Sequence, residues 1–377
     1  MTFKALLIDA YRQLSAAKLF WLTLGLSFIV VLAFGSISFN ESGMTIFYGL
    51  STIENDMINE GSPWARGLYV GIYSNFLVTI WLSWIATVLA LISTCTIFPE
   101  FVKSGAIELT LSKPISRINL FLMKYFVSLL FVLLQVLVFC VGIFICVGLR
   151  IGEWNWAIFG AVPVVTIFYS YLFAVCVLVG MITRSGITSL LITGVFWMLL
   201  WTAQTAEFTL NQFSVRERVT IDSFEKSILE QEEALETLRA KSPDDFRIEK
   251  RQERIDDMKE DIASAKDSFD KLIVWHEPVR IVLIFLPKTS QTIGLLDRWL
   301  KDDSGFDIQA MMRGDMRSVE ELEEFDNTTS FARRREASKR IEDDYSSRSL
   351  WYVVGTSLLF ESAILAVSAW FFYRRDF

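Results

Sequence analysis

The sequence predicts an all-α polytopic membrane protein, with six transmembrane helices and an antiparallel coiled-coil hairpin inserted between the fifth and the sixth. Three observations carry this. Hydrophobic residues make up 53% of the chain and its mean hydropathy is positive, +0.40, a composition outside the range of soluble domains. Charge is gathered in one block, with 33 acids and 24 bases from Glu207 to Arg348 against 10 and 12 in the remainder. Inside that block apolar residues recur at alternating intervals of three and four, the heptad pattern of paired helices.

A helix needs about 20 apolar residues to cross about 30 Å of hydrocarbon with every backbone polar group satisfied internally. Six segments qualify: residues 19–39, 75–98, 120–149, 157–182, 187–205 and 350–373. Orientation follows from the short flanks, where Lys and Arg favour the cytoplasmic side. With the N-terminus inside, the inner flanks hold Lys4, Arg12, Lys18, Lys103, Lys113, Arg117, Lys124, Arg184, Arg374 and Arg375, whereas the short outer loops hold only Arg66 and Arg150. Both termini are therefore expected in the cytoplasm and the chain in the plasma (inner) membrane. Residues 1–18 carry Phe3, Leu7, Ala10 and Leu14 on one helical face, which predicts an amphipathic helix on the inner lipid surface. The first apolar run is longer than the core of a typical signal peptide, so it is expected to remain as a span.

The membrane body covers residues 19–205, and the hairpin 206–276. Neither glycine nor proline occurs between Gly194 and Pro243, so the fifth span is expected to run on as a stalk. One heptad seam comprises Ile221, Phe224, Ile228, Gln231, Leu235 and Leu238; a second comprises Ile255, Met258, Ile262, Ala265, Phe269 and Leu272. Between them, Ser242 and Pro243 suit the N-cap and first position of a new helix. The apolar run inside 277–300 is too short to span and meets Pro287, which predicts a re-entrant or interfacial segment. Residues 301–349 read as a charged extracytoplasmic loop, with Arg333, Arg334 and Arg335 on a solvated helical face. The last span and a cytoplasmic tail occupy 350–377.

Several chemistries are disfavoured at once. Cys95, Cys140, Cys146 and Cys176 all sit in apolar runs without paired spacing, which predicts neither a disulfide framework nor a metal site. His276 is the only histidine, so a histidine-dependent hydrolase is not expected. The acidic block gives nucleic acid no basic face to meet. There is no Gly-x4-Gly-Lys-Ser/Thr loop, and hence no phosphate cradle of that kind. Within the spans Glu361 stands out, because an intramembrane carboxylate is costly and marks a candidate functional site. Gln135 and Gln204 are its expected hydrogen-bond partners if its role is structural. Trp154, Trp156, Trp201 and Trp351 read as interfacial belts.

Between the second and third spans lies FPEFVKSGAIELTLSKPISR, residues 98–117. Its apolar residues recur at helical intervals among two acids and three bases, so a short helix between Pro99 and Pro114 on the inner surface satisfies both sets. An inner loop anchored by bases reaching the headgroups is the plainer alternative. The stretch, followed by Lys124 and Tyr125, resembles the inner-loop motif of type 2 ABC transporter permeases: an acid, a glycine, a second acid, a leucine-rich turn, Ser-x-Pro-x-Ser-Arg and a lysine entering the next helix. Glu100, Gly105, Glu108, Leu111, Ser112, Pro114, Ser116, Arg117 and Lys124 fill those positions. The resemblance implies an exporter subunit that has no ATPase motifs and binds no cofactor of its own, with ATP used by a partner. Residues 99–118 would be the coupling segment, with Glu100, Lys103, Gly105, Glu108, Pro114, Arg117 and Lys124 serving the docking of a cytosolic ATP-binding subunit. It also implies a second permease half, expected as a homodimer, surrounded by membrane lipid. The inserted hairpin departs from the compact family pattern and suggests an extracytoplasmic partner. A membrane-anchored interaction protein that presents the hairpin without transport is the alternative.

Overall fold

In the computed structural model the described residues are 18–54, 58, 60–103, 116–152, 154–241, 246–300 and 330–374. They are mostly helical and divide into two units. One comprises the chain up to Leu200 with Pro287–Asp315 and Val353–Phe377; the other comprises Trp201–Leu286 with Met316–Tyr352. The helix expected over 1–18 lies outside the described residues except for Lys18, as does the turn at Ser242 and Pro243. Five helical stretches among the described residues are long and apolar enough to cross a membrane: Ala65–Val102, Arg117–Ile151, Trp156–Thr183, Gly186–Lys241 and Trp351–Arg374.

The first unit opens with α1 (Lys18–Gly35), a shorter apolar helix. Three side chains donate to its last carbonyls, of which Leu32 O and Phe34 O also accept from the Ser36 and Ile37 N–H groups. Tyr48 Oη donates to Leu32 O at 3.1 Å, Tyr69 Oη to Phe34 O at 3.2 Å and Arg150 Nε to Gly35 O at 2.9 Å. A three-stranded antiparallel meander follows, β1 (Ser38–Asn40), β2 (Gly43–Ile46) and β3 (Ser51–Glu54), with Phe39 opposite Met44 and Met44 opposite Ile53. This small sheet is an addition to a mostly helical fold. Its strands are too short to show a strong period, and Asn40 to Gly43 is the turn signal that marks the first hairpin.

The second stretch begins as α2 (Pro63–Gly71), where Ser62 Oγ accepts from Ala65 N at 3.1 Å and Pro63 starts the helix. It widens into a π-helix, Ile72–Ala86, before α3 (Thr87–Thr94). Ser83 Oγ reaches Val78 O and Thr87 Oγ1 reaches Leu82 O, both at 2.9 Å and five residues back. α4 (Ile97–Lys103) then contains Pro99 in its first turn rather than starting after it; a proline is tolerated there because early N–H groups have no partner to lose. Ser116 caps α5 (Arg117–Ile151) by accepting from Asn119 N at 3.2 Å. Gly152, at φ 79°, ends it, and Trp154 packs so close to Gly148 that an added Cβ would lie 2.5 Å from the indole.

After a short 3₁₀ turn, α6 (Ala161–Thr183) is the most enclosed helix of this unit, buried continuously from Phe168 to Val177. It packs against α5, α4, α9 (Thr289–Leu300) and α11 (Thr356–Arg374). Arg184, in the left-handed region at φ 54°, ends α6, and α7 (Gly186–Lys241) starts two residues later.

In the second unit α7 meets α8 (Phe246–Phe285) antiparallel. Lys266 bonds Glu225 and Lys259 bonds Glu232, each at 3.1 Å, so seven residues along one helix match seven back along the other. Between them Ile228, Ile255 and Ile262 form a buried cluster flanked by Ile221, Phe224 and Met258. The sequence separates a hairpin ending at 276 from the segment 277–300, but α8 continues through Pro278 to Phe285. The expected loop 301–349 also contains a helix, α10 (Ser330–Ser347). Arg333, expected on a solvated face, instead lies 4.5 Å over the Phe224 ring; a guanidinium so placed gains from the ring's negative face.

The apolar seam outweighs the ion pairs here, since Lys259 and Glu232 are each about half exposed and such pairs contribute less than about 1 kcal/mol. Ile255→Ala is expected to destabilise the α7–α8 pair by about 2 to 4 kcal/mol and Lys259→Ala by under about 1 kcal/mol. Amide exchange across residues 221–272 of the full chain would check the ranking.

Candidate functional site

One end of the first unit gathers both edges of the 104–115 stretch. Pro99 abuts Gly180 near the end of α6, where an added Cβ would lie 3.1 Å from the proline ring, and Thr96 abuts Gly186 at the start of α7. The α4 side chains Phe98 and Phe101 are buried. Phe98 lies against Phe121 at 5.3 Å between ring centroids, Phe121 against Phe372 at 5.9 Å, and Phe101 stacks on Phe372 at 6.0 Å. This aromatic group joins α4, the first turns of α5 and the last turn of α11.

Polar contacts reinforce the same joint. Arg117 Nη1 donates to Tyr373 O at 3.3 Å. A cation in the first turn of α5 faces the positive end of that helix's dipole, but it is also set against the last carbonyls of α11, the negative end of another. Lys124 Nζ sits 4.0 Å from the centre of the Phe101 ring, so the lysine expected for docking covers an aromatic side chain of α4. Glu100 is exposed in the first turn of α4, where a carboxylate is favoured by the dipole. Lys103 closes α4; Gly105, Glu108 and Pro114 lie outside the described residues.

Farther along α11, Glu361 is buried. Tyr125 Oη of α5 donates to Glu361 Oε1 at 2.8 Å, and Ser170 Oγ of α6 donates to Glu361 Oε2 at 2.7 Å. The carboxyl group thus ties three helices. Its partners correct the expectation of Gln135 or Gln204. Gln135 lines a small crevice with Thr23, Ser27, Leu82, Thr87 and Val165, and Gln204 belongs to the second unit. A spacing signal for this face was present in the sequence: Ser357, Glu361, Ser368 and Phe372, separated by four, seven and four residues, are the buried residues of α11.

Sequence reasoning also passed over Lys288. It is 5% exposed, donates through its backbone N–H to Ser357 Oγ at 2.9 Å and through Nζ to Thr356 Oγ1 at 2.6 Å. Its carbonyl accepts from Thr292 N at 2.9 Å and from Thr292 Oγ1 at 2.8 Å. Position gave the signal, in that a lysine between Pro287 and Thr289 falls where α9 must begin. Among the described residues no group of three His, Cys, Asp or Glu side chains is placed to hold a metal. A carboxyl node, an aromatic joint and a buried lysine therefore all contact α11.

Removing the carboxyl group would leave Tyr125 Oη and Ser170 Oγ with only their backbone acceptors, Ser170 O at 3.0 Å and Ile167 O at 2.8 Å, and would lose the two hydrogen bonds that cross to α11, each worth about 1 to 3 kcal/mol. Glu361→Leu is expected to destabilise the detergent-solubilised chain by about 2 to 5 kcal/mol, Tyr125→Phe by about 1 to 3 kcal/mol, and Glu361→Gln, which keeps an acceptor oxygen, by less than Glu361→Leu. Thermal denaturation of the three variants tests the order.

Comparison of the chain with protein families, with characterised proteins and with solved structures returns no match in any of the three.

Proposed function

We propose that the chain is the membrane subunit of an ATP-driven ABC exporter. It crosses the plasma membrane six times, keeps both termini in the cytoplasm and presents its coiled-coil hairpin on the opposite side. It pairs with a second copy and receives mechanical work from separate ATP-binding subunits that dock at residues 99–118.

One observation carries the reading: both edges of the 104–115 stretch are fastened to the end of the same helix. On one edge Phe101 stacks on Phe372; on the other Arg117 bonds Tyr373 O, and Lys124 covers Phe101. A segment held at both ends displaces the packed helices as bodies, because close-packed interiors shift between discrete arrangements and do not deform continuously. A generic inner loop needs no such attachment. The Lys and Arg bias of the short flanks supports the sidedness, and the five long apolar helices support the membrane location. Glu100 is exposed beside the attached edge.

Purification of the solubilised chain is expected to bring an ATP-hydrolysing subunit with it. In the reconstituted complex, Glu100→Lys and Arg117→Ala are expected to leave ATP hydrolysis measurable while substrate export falls at least about tenfold, the effect of losing about 1.4 kcal/mol from the coupled step. Export at the wild-type rate in both variants would remove the coupling assignment. A chain that never associates with an ATPase would favour the anchored interaction protein.

A further inference from the structure

We propose that residues 47–50, the turn between β2 and β3, form a lipid-inserted anchor that fastens the meander to the membrane boundary where α5 ends. The anchor rests on the membrane location of the long apolar helices and not on transport.

Topology brings this turn back to the helix ends. β1 leaves α1 and runs away from it to the turn at 40–43, where Asn40, Glu41 and Ser42 are exposed. β2 then returns, with Thr45 opposite Ser38. Tyr48 N donates to Ser36 O at 3.1 Å, and Tyr48 Oη reaches Leu32 O in the last turn of α1 at 3.1 Å. Arg150, in the last turn of α5, lies 5.6 Å from the Tyr48 ring. The two turns of one meander therefore differ in chemistry. The far one is polar, whereas the near one reads Phe-Tyr-Gly-Leu.

Phe47, Tyr48 and Leu50 are all exposed, Leu50 to 89%. Their backbone does not explain them. Phe47 at φ 55° and Tyr48 at φ 57° occupy the left-handed region, which bulky residues rarely adopt and which Gly, Asn or Asp fill more readily. A segment that only reversed the chain would carry those residues. Aromatic side chains held there against backbone preference point to something that they contact.

The surroundings favour lipid as the occupant. α5 exposes an apolar stripe of Val138, Val141, Ile145 and Leu149, which runs into the last turn, the level at which Arg150 meets Tyr48. Trp154 and Trp156, exposed just beyond α5, suit the headgroup boundary. Residues 47–50 contain no charge, and the Tyr48 hydroxyl is already engaged, so a protein partner would find little directional contact. The Tyr48 N–H is bonded within the chain, as is that of Leu50, to Phe47 O at 3.3 Å; entry into hydrocarbon requires such internal bonding of the backbone.

The test places photoreactive benzoylphenylalanine at one position of the full chain, in nanodiscs of phosphatidylcholine and phosphatidylglycerol and in native membranes. In place of Leu50 it is expected to yield lipid adducts by mass spectrometry, as it should in place of Val138 on α5, and in place of Ser42 none. Crosslinking from position 50 to a second copy or to another protein, or lipid adducts at 138 without any at 50, would overturn the anchor. Lipid at neither position removes the span and the anchor together, so failure of the turn and failure of the membrane location are told apart. Without a probe, Leu50→Ser in nanodiscs is expected to speed amide exchange of β2 at least about fivefold, from the apolar area withdrawn from lipid, and Ser42→Ala to leave it unchanged. Unchanged exchange in Leu50→Ser would equally overturn the anchor.

Discussion

The first unit depends on a constraint imposed by one carboxyl group. Glu361 is buried among apolar helices, where a polar group without hydrogen bonds is penalised severely. Its two oxygens are met by Tyr125 from α5 and Ser170 from α6, so α11 cannot rotate or slide against either neighbour without exposing an unpaired oxygen. Apolar packing alone specifies such a helix weakly, because lipid chains are as apolar as leucine and offer the same contacts. Directional bonds give α11 its register. Phe372, three turns along, then falls on the same face as Glu361, and the contacts with Phe101 and Phe121 follow.

The ends of the helices are organised by a second principle, the pairing of cations with exposed carbonyls. Arg117 meets the end of α11 and Arg150 meets the end of α1. The Arg150 contact also clarifies the charge bias of the sequence. Arg150 counts against the positive-inside pattern, yet its Nε is engaged by Gly35 O and its guanidinium lies 5.6 Å from the Tyr48 ring. It holds the end of α1 as Arg117 holds the end of α11, so both sides of the bias include bases with a structural partner.

Long apolar stretches and heptads were legible because they repeat. Helices at 117–151, 156–183 and 351–374 coincide closely with the expected third, fourth and sixth segments, and the first two are closed by the capping residues Ser116, Gly152 and Arg184. The carboxyl group of Glu361 stood out for its rarity, but its partners did not. Tyr125 and Ser170 are 236 and 191 residues away in sequence, and nothing in the local pattern of an apolar helix distinguishes a hydroxyl that bonds its own backbone from one that crosses to a neighbour. The meander at 38–54 was missed because strands of three or four residues have too few side chains to establish a period.

α10 shows why a charged stretch is not sufficient evidence for a loop. Its sequence, SFARRREASKRIEDDYSS, has no apolar stripe wide enough to drive packing by itself. It packs through particular contacts: Ala337 is 1% exposed, Arg333 stacks over Phe224, and Arg340 bonds both Glu336 at 2.9 Å and Asp222 on α7. Phe224 also flanks the buried cluster between α7 and α8, so the Arg333 guanidinium covers the seam of the pair. Exposed charge pairs contribute little singly, and a helix held mainly by them is the element of this unit with the smallest margin against detachment. Glu207 and Tyr345 add a part-buried hydrogen bond between α10 and α7.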